Sequence, residues 1–349
     1  MIVLVLGSGG REHVMAQALA RDSQVQHTYV APGDQHIAQD PQLTRHVTCV
    51  DIDMFDAEAV VGLARQIDAA IVWIGSATAM ANGVSDALRR AGFNVFGASS
   101  GAAYIEVVKS YARELMAALD IPAPMGFWCT TPEQIDHALD IFGPPYVLTD
   151  NVLRPDTSPT RTGLVTDNRS EAEQYAHTCL AQPGRFTAEP AVLVDEYILG
   201  EHITFSYMCD GRSVAPLIPV NTHYDPATPY PAVLPEVSGD MYDAVTERVV
   251  RPLMQELYRR HTPLIGPLSV KTIIGPRGLR VVGFDVHIEQ AEGQLVLALL
   301  RNQISDVLRN CLHGSARNLR MNWAKPQATG ITGSNQSINA VMPRSELKY

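Results

Sequence analysis

Five consecutive apolar residues, Ile2-Val-Leu-Val-Leu6, run straight into Gly7-Ser-Gly-Gly-Arg-Glu-His13. An uninterrupted apolar run of that length reads as a strand buried on both faces, and such strands belong to parallel sheets covered by helices. No cationic stretch precedes the run, so a buried strand is expected here and not a secretion signal. Glycines between a strand and a helix let the backbone approach an anion, and the helix N-terminus offers free N–H groups to phosphate. A dinucleotide fingerprint would place glycine at the sixth motif position, where Glu12 stands. A nicotinamide dehydrogenase is therefore poorly supported. A tight turn with no ligand is the other reading of the same residues.

The alternation continues through the first hundred residues. Residues 11–21 read as a helix with Val14, Ala18 and Leu19 on one side, and residues 28–31 as a strand ending at Pro32-Gly33. Helices are expected at 56–66 and 83–91, and strands at 69–74 and 94–96. This order predicts an α/β class with a doubly wound parallel sheet.

Gly97-Ala-Ser-Ser-Gly101 reads as a hinge, followed by one long helix over 103–119 and a break at Pro122 and Pro124. A mixed region follows, with helices at 132–141 and 170–180, a strand at 146–148 and a polar, turn-rich segment at 150–163. Strands 191–197 and 202–209 are expected to form a hairpin-like pair around Leu199-Gly200. Residues 219–236 read as a loop, and 241–260 as an amphipathic helix kinked at Pro252. Paired strands at 268–274 and 280–289 join through Gly275-Pro-Arg-Gly278, and a last helix spans 303–312.

Composition narrows the classes. At roughly 150 residues per domain, a chain of 349 residues suggests two or three domains. Lys plus Arg number 27 against 37 Asp plus Glu, a net charge of −10, which gives no general attraction to nucleic acid or an anionic membrane. With 46% hydrophobic and 18% charged residues, a disordered chain or charged fibre is excluded. No apolar run reaches the ~18 residues of a transmembrane helix. Cys49, Cys129, Cys179, Cys209 and Cys311 are dispersed without a CxxC pair, as expected of reduced core residues in a cytoplasmic protein.

Several blocks, taken together, resemble one family. Val-Leu-Gly-Ser-Gly-Gly-Arg-Glu-His13 is similar to the opening of the glycinamide ribonucleotide synthetase (phosphoribosylamine–glycine ligase) family, of the ATP-grasp superfamily. Val30-Ala-Pro-Gly33, then Phe96-Gly-Ala-Ser-Ser-Gly-Ala-Ala103 with Lys109 and Ile121-Pro122, follow in that family's order. Val194-Asp-Glu-Tyr-Ile-Leu-Gly-Glu201 resembles its adenine-binding strand and turn, and the likeness runs to about residue 312.

The resemblance implies a nucleotide-fold domain at 1–102 and an ATP-grasp domain at 103–312 with a lid at 121–192. Residues 313–349 would be the remnant of a closing domain. It implies a reaction in which ATP phosphorylates a carboxylate and an amine displaces phosphate to form an amide. Such a site needs cations on the triphosphate, acidic ligands for magnesium and a cover that excludes water. By the same resemblance ATP would be held by Lys109, Val194, Glu196, Tyr197, Glu201 and Arg161, and substrate by Gly9, Gly10, Arg11, Glu12 and His223. Magnesium would be held at Asp285 and His287. The implied partners are a small-molecule carboxylate and amine, with a homodimer allowed.

The chain also departs from the family pattern. Thr149 stands where a second ATP-contacting lysine is expected. The glycine-rich phosphate loop is replaced by a stretch with Pro155 and Pro159, where Arg154 or Arg161 could supply charge. The metal-ligating pair aligns with Gly283 and Asp285, although Asp285, His287 and Glu289 alternate so that a strand would project all three from one face. Shifted magnesium ligation, another metal and no metal all remain open on these residues. A Gly-Pro-Glu block is replaced by Gly75-Ser-Ala-Thr-Ala-Met80, and a glycine-rich stretch by Asp225-Pro-Ala-Thr-Pro-Tyr-Pro231. Two readings follow: a divergent ATP-grasp carboxylate–amine ligase acting on another substrate in a specialised pathway, or a catalytically degenerate ATP-grasp-like binding protein.

Overall fold

The computed structural model describes residues 1–44, 46–152, 163–182, 186, 190–222 and 232–324. Contacts divide the chain into two units, one built from Met1–Ala102, His202–Val270 and Asp285–Tyr349, the other from Ala103–Glu201 and Lys271–Phe284.

Unit 1 begins with strands β1 (Ile2–Gly7), β2 (His27–Pro32), β3 (Val47–Cys49), β4 (Ile71–Ile74) and β5 (Val95–Phe96). They form a parallel sheet in the order β3-β2-β1-β4-β5, so the apolar run that opens the chain is its central strand. Val3 through Leu6 are fully buried, as a strand covered on both faces requires. Helix Gly10–Ala20 turns Val14, Met15 and Leu19 into a core shared with Leu295, Val296, Val307 and Leu308. Asp22, itself buried, accepts from the Ser305 amide at 2.8 Å and so caps the helix Ile304–Leu312.

Unit 2 is an antiparallel sheet of β6 (Gly126–Cys129), β7 (Tyr146–Asp150), β8 (Gly163–Thr166) and β9 (Val192–Asp195), in the order β6-β9-β7-β8. Tyr146, Leu148, Val192 and Val194 pack with Ile135, Leu139, Ala172 and Ala176 of helices Pro132–Phe142 and Arg169–Leu180. The remaining strands are β10 (Glu201–Asp210), β11 (Val214–Pro216), β12 (Val220–Thr222), β13 (Ala232–Val233), β14 (Ile265–Gly275) and β15 (Gly278–Asp285). Their order is β13-β12-β10-β14-β15, with β11 also on β10.

Several expectations change. The single helix over 103–119 is two, Ser100–Val107 and Lys109–Ala118, because Val108 is extended (φ −128°, ψ 103°) and bridges to Val152. The Lys109 amide then donates to Asn151 O at 2.8 Å instead of back along a helix. The pair around Leu199-Gly200 is not a hairpin: β9 and β10 belong to different sheets. The turn instead passes close to Ile274, whose carbonyl oxygen would lie 2.4 Å from a Cβ at residue 200, so only glycine fits. The 219–236 loop contains the short strands β12 and β13, and β7 continues past Leu148 to Asp150. The helix over 241–260 carries a π-turn at Thr246–Val250, immediately before Pro252, whose missing N–H prevents a regular ladder there. Residues 290–299 form a further helix, and β15 stops at Asp285.

Candidate functional site

In unit 1 the glycine turn between β1 and the first helix is closed over a carboxylate of its own. Glu12, only 4% exposed, folds back so that its Oε2 accepts from the Gly9 amide at 2.7 Å. A Cβ at Gly7 would lie 2.4 Å from Glu12 Oε1, and one at Gly75 would lie 2.0 Å from it. Three glycines thus make the room for one buried carboxylate, and one amide expected to face a ligand is already engaged. Arg11 Nη1 donates to Gly75 O at 3.4 Å. Gly10 abuts Gln290, whose Cδ would be 1.9 Å from a Cβ at residue 10. His13 Nε2 lies 2.7 Å from Asp40 Oδ2, and Gln17 donates to the same oxygen at 3.0 Å. Burial raises the Asp40 carboxyl, but these hydrogen bonds outweigh it and hold it below the ordinary carboxylate range.

Asp285, His287 and Glu289 come together, each offering a ligand atom within 4.8 Å of the others. They do not do so by strand alternation, since β15 ends at Asp285. Glu289 arrives instead as the N-cap of helix Gln290–Leu299. Asp285 and His287 are buried. Ser269 Oγ donates to the His287 carbonyl at 3.1 Å, and Ser206 Oγ lies 2.9 Å from Ser269 Oγ. Ser206 also donates to buried Glu292, so a carboxylate and two hydroxyls brace this segment from beneath. The sequence reading did not single out Ser206, Ser269 or Glu292; two serines at core-facing strand positions were the available signal. Two carboxylates suit magnesium, but the imidazole between them does not, because magnesium takes oxygen ligands.

In unit 2, Lys109 is the first residue of helix Lys109–Ala118, held there by Asn151, whose Oδ1 also accepts from the Ser110 amide at 2.8 Å. One turn on, Arg113 donates to Asp195 Oδ1 at 2.5 Å and to Pro124 O at 2.9 Å. Sequence reasoning missed this pair, although the i, i+4 spacing of Lys109 and Arg113 on one helix face was readable. Burial pushes the Asp195 carboxyl up to about 6, against the opposing pull of Arg113. Folded Asp195 then holds its proton over a range where the unfolded chain has lost it. Stability should therefore fall by about 1 kcal/mol as pH rises from 5 to 7. Urea titrations at the two values should show this in the wild type and not in Asp195→Asn.

Val194 is buried and paired on both sides, with Phe127 and Leu148, so its backbone is spent inside the sheet and is not open to a nucleotide base. The strand's exit is different: Tyr197 is 45% exposed and Leu199 74%. Glu196 Oε1 accepts from the Met125 amide at 3.1 Å and its Oε2 from Arg277 at 2.5 Å. Burial raises the Glu196 carboxyl, but these contacts bring it below its usual range. Glu201 is exposed at the start of β10. Thr149 lies within β7, not at its end, opposite Leu193. Arg154, Arg161, His223 and the 225–231 stretch lie outside the described residues.

The fold is that of ATP-grasp proteins preceded by a nucleotide-fold domain. The chain superposes on the phosphoribosylamine–glycine ligase of Thermotoga maritima with a TM-score of 0.69 at 18% identity, over 90% of this chain and 76% of that one. Biotin carboxylase from Campylobacter jejuni gives 0.70 at 12% identity, over 92% and 73%. Residues 1–106 match "Phosphoribosylglycinamide synthetase, N domain" and residues 107–293 "Phosphoribosylglycinamide synthetase, ATP-grasp (A) domain". The phosphoribosylamine–glycine ligase of Streptomyces coelicolor is 31% identical, covering 95% of this chain and 77% of that protein. That of Mycobacterium tuberculosis is 34% identical, covering 90% and 74%. The chain belongs to the phosphoribosylglycinamide synthetase family of ATP-grasp ligases.

Proposed function

We propose that the chain is an ATP-dependent carboxylate–amine ligase whose substrates differ from phosphoribosylamine and glycine. The substrate carboxylate attacks the terminal phosphorus of ATP and releases ADP. The amine then attacks the acyl phosphate carbon, phosphate leaves and the amine's proton passes to solvent, giving an amide. The observation that carries the ligase reading is the match of both family domains, in order, over residues 1–293. A changed substrate is supported by the segment after β4. Helix Ala77–Ala81 is buried at every position and capped by Ser76, so it offers no carboxylate where the family pattern has one.

Lys109 is assigned to the phosphates. A cation at a helix N-terminus opposes the helix dipole, so its position is not explained by helix stability. Tyr197 and Leu199 offer open apolar surface to the base, and Glu201 a carboxylate to the ribose hydroxyls. Arg161 and His223 keep their assigned roles toward phosphate and substrate, as do Gly9, Gly10 and Arg11. Glu12 is assigned to shaping the turn. Residues 1–102 are taken as the nucleotide-fold domain and 103–312 as the ATP-grasp domain with 121–192 as its cover. The proposed setting is the cytoplasm, with small-molecule partners and a homodimer as the larger assembly. A divalent ion is assigned to Asp285 and its neighbours; when bound it would neutralise phosphate charge.

ATP-dependent phosphate release across a panel of carboxylates and amines tests this reading, with phosphoribosylamine plus glycine as one pair. Turnover with another pair is expected. Efficient turnover with phosphoribosylamine and glycine would overturn the changed substrate, and no nucleotide binding by calorimetry, with or without divalent ions, would overturn the ligase. Lys109→Ala should weaken ATP binding by roughly tenfold or more, the size of one charge-assisted contact. An unchanged affinity would remove Lys109 from the site.

A further inference from the structure

We propose that Asp285, His287 and Glu289 form a binding site for a divalent transition ion of the Mn²⁺ to Zn²⁺ series, in preference to magnesium. The inference rests on this donor set alone and does not require the ligase reading. Three observations support it. First, the three ligand atoms converge within 4.8 Å although the strand that carries Asp285 has already ended, so the convergence is built by the turn into the next helix.

Second, His287 Nε2 and Glu289 Oε1 lie 3.2 Å apart. Two ligands each about 2.0–2.1 Å from one ion in tetrahedral geometry are separated by about 3.3 Å. This pair therefore already has the spacing of adjacent ligands, and closing the widest separation requires a side-chain adjustment of about 1–1.5 Å. Third, the segment is braced. Ser269 holds the His287 carbonyl at 3.1 Å, and Ser206 holds Ser269 at 2.9 Å, so the backbone that carries the imidazole is fixed from the neighbouring strands. The imidazole is 5% exposed, so it is an inward-facing donor and not a surface histidine.

The ion class follows from the donors. Magnesium prefers six oxygens and gives up water reluctantly, so it gains little from an imidazole. Manganese through zinc accept imidazole with carboxylate, with affinity generally rising along the series toward copper. One nitrogen among two carboxylates is therefore a selectivity element.

The test uses the full chain, stripped of metal by chelation, without nucleotide. Calorimetric titration with Zn²⁺ and with Mg²⁺, and visible spectroscopy of the Co²⁺-loaded protein, are the readouts. We expect one Zn²⁺ per chain bound at least roughly 100-fold more tightly than Mg²⁺, and Co²⁺ ligand-field bands of a site with fewer than six ligands. His287→Ala should abolish the bands and the tight Zn²⁺ site, and Glu289→Gln should weaken Zn²⁺ by roughly tenfold or more. Because buried His287 could be needed for folding, His287→Gln and the half-buried Glu289→Gln serve as second variants, with circular dichroism as the folding check. Equal affinities for Zn²⁺ and Mg²⁺ would overturn the proposal. So would tight Zn²⁺ binding that survives in a folded His287 variant, which would place the ion on other histidines among the 11 in the chain.

Discussion

Replacing Arg113 with methionine is expected to cost unit 2 about 3–5 kcal/mol at pH 8, the usual penalty for removing one partner of a buried ion pair. Methionine keeps the apolar stem, so the loss isolates the charge. Asp195 is 8% exposed and its Oδ1 sits where a Cβ at Gly126 would fall, 2.1 Å away, so there is no room for it to swing toward water. Burial already pushes this carboxyl up to about 6 with Arg113 in place. Without the guanidinium it should rise further and take up a proton, so the cost should shrink at pH 5, where neutralisation is easy. Asp195→Asn in the same background should restore much of the loss. Amide exchange of β9 measures all three, and an Arg113→Met variant as protected as the wild type at pH 8 would show that the pair contributes little.

The second large effect lies in unit 1. Gly75→Ala should destabilise by about 2–4 kcal/mol, combining overpacking with loss of a helix cap. The added methyl would meet Glu12 Oε1, and Gly7 blocks the carboxylate's retreat on the other side. A double-mutant cycle with Glu12→Ala separates the causes. Once the carboxylate is gone, the methyl has space, and the double variant should be more stable than the sum of the single losses predicts. Simple additivity in urea unfolding would mean that the two residues do not share this space.

The central sheet was legible because its strands are apolar along their whole length and its helices alternate with them. What the sequence could not show is which distant group claims a backbone position. Val108 leaves the helix because Asn151 and Val152 take its neighbourhood, and helix propensity carries no trace of that bridge. Likewise, alternation marks β9 and β10 as strands but does not say that each joins a different sheet. At the site, the glycine motif was readable, whereas its filling by Glu12 depends on Gly75, a residue from another strand's end. The convergence of Asp285, His287 and Glu289 was anticipated by a strand pattern and achieved by a turn and a helix cap, so the residues were legible and their geometry was not. Helix Gln290–Leu299 escaped notice because its buried face includes Glu292 and Gly293, which break the apolar stripe.

The packing of helix Gly10–Ala20 also sets a timetable for the newborn chain. The core it packs into is shared by the sheet and by Leu295, Val296, Val307 and Leu308, which leave the ribosome nearly three hundred residues later. At about 5–20 residues per second, that is a delay of roughly 15–60 s. Through that interval the five-stranded sheet can assemble and cover part of the helix, while the side that Val14 turns toward Gly293 stays uncovered. Nascent chains stalled before residue 290 should therefore engage hydrophobic-binding chaperones through this helix, and those released after residue 312 should not.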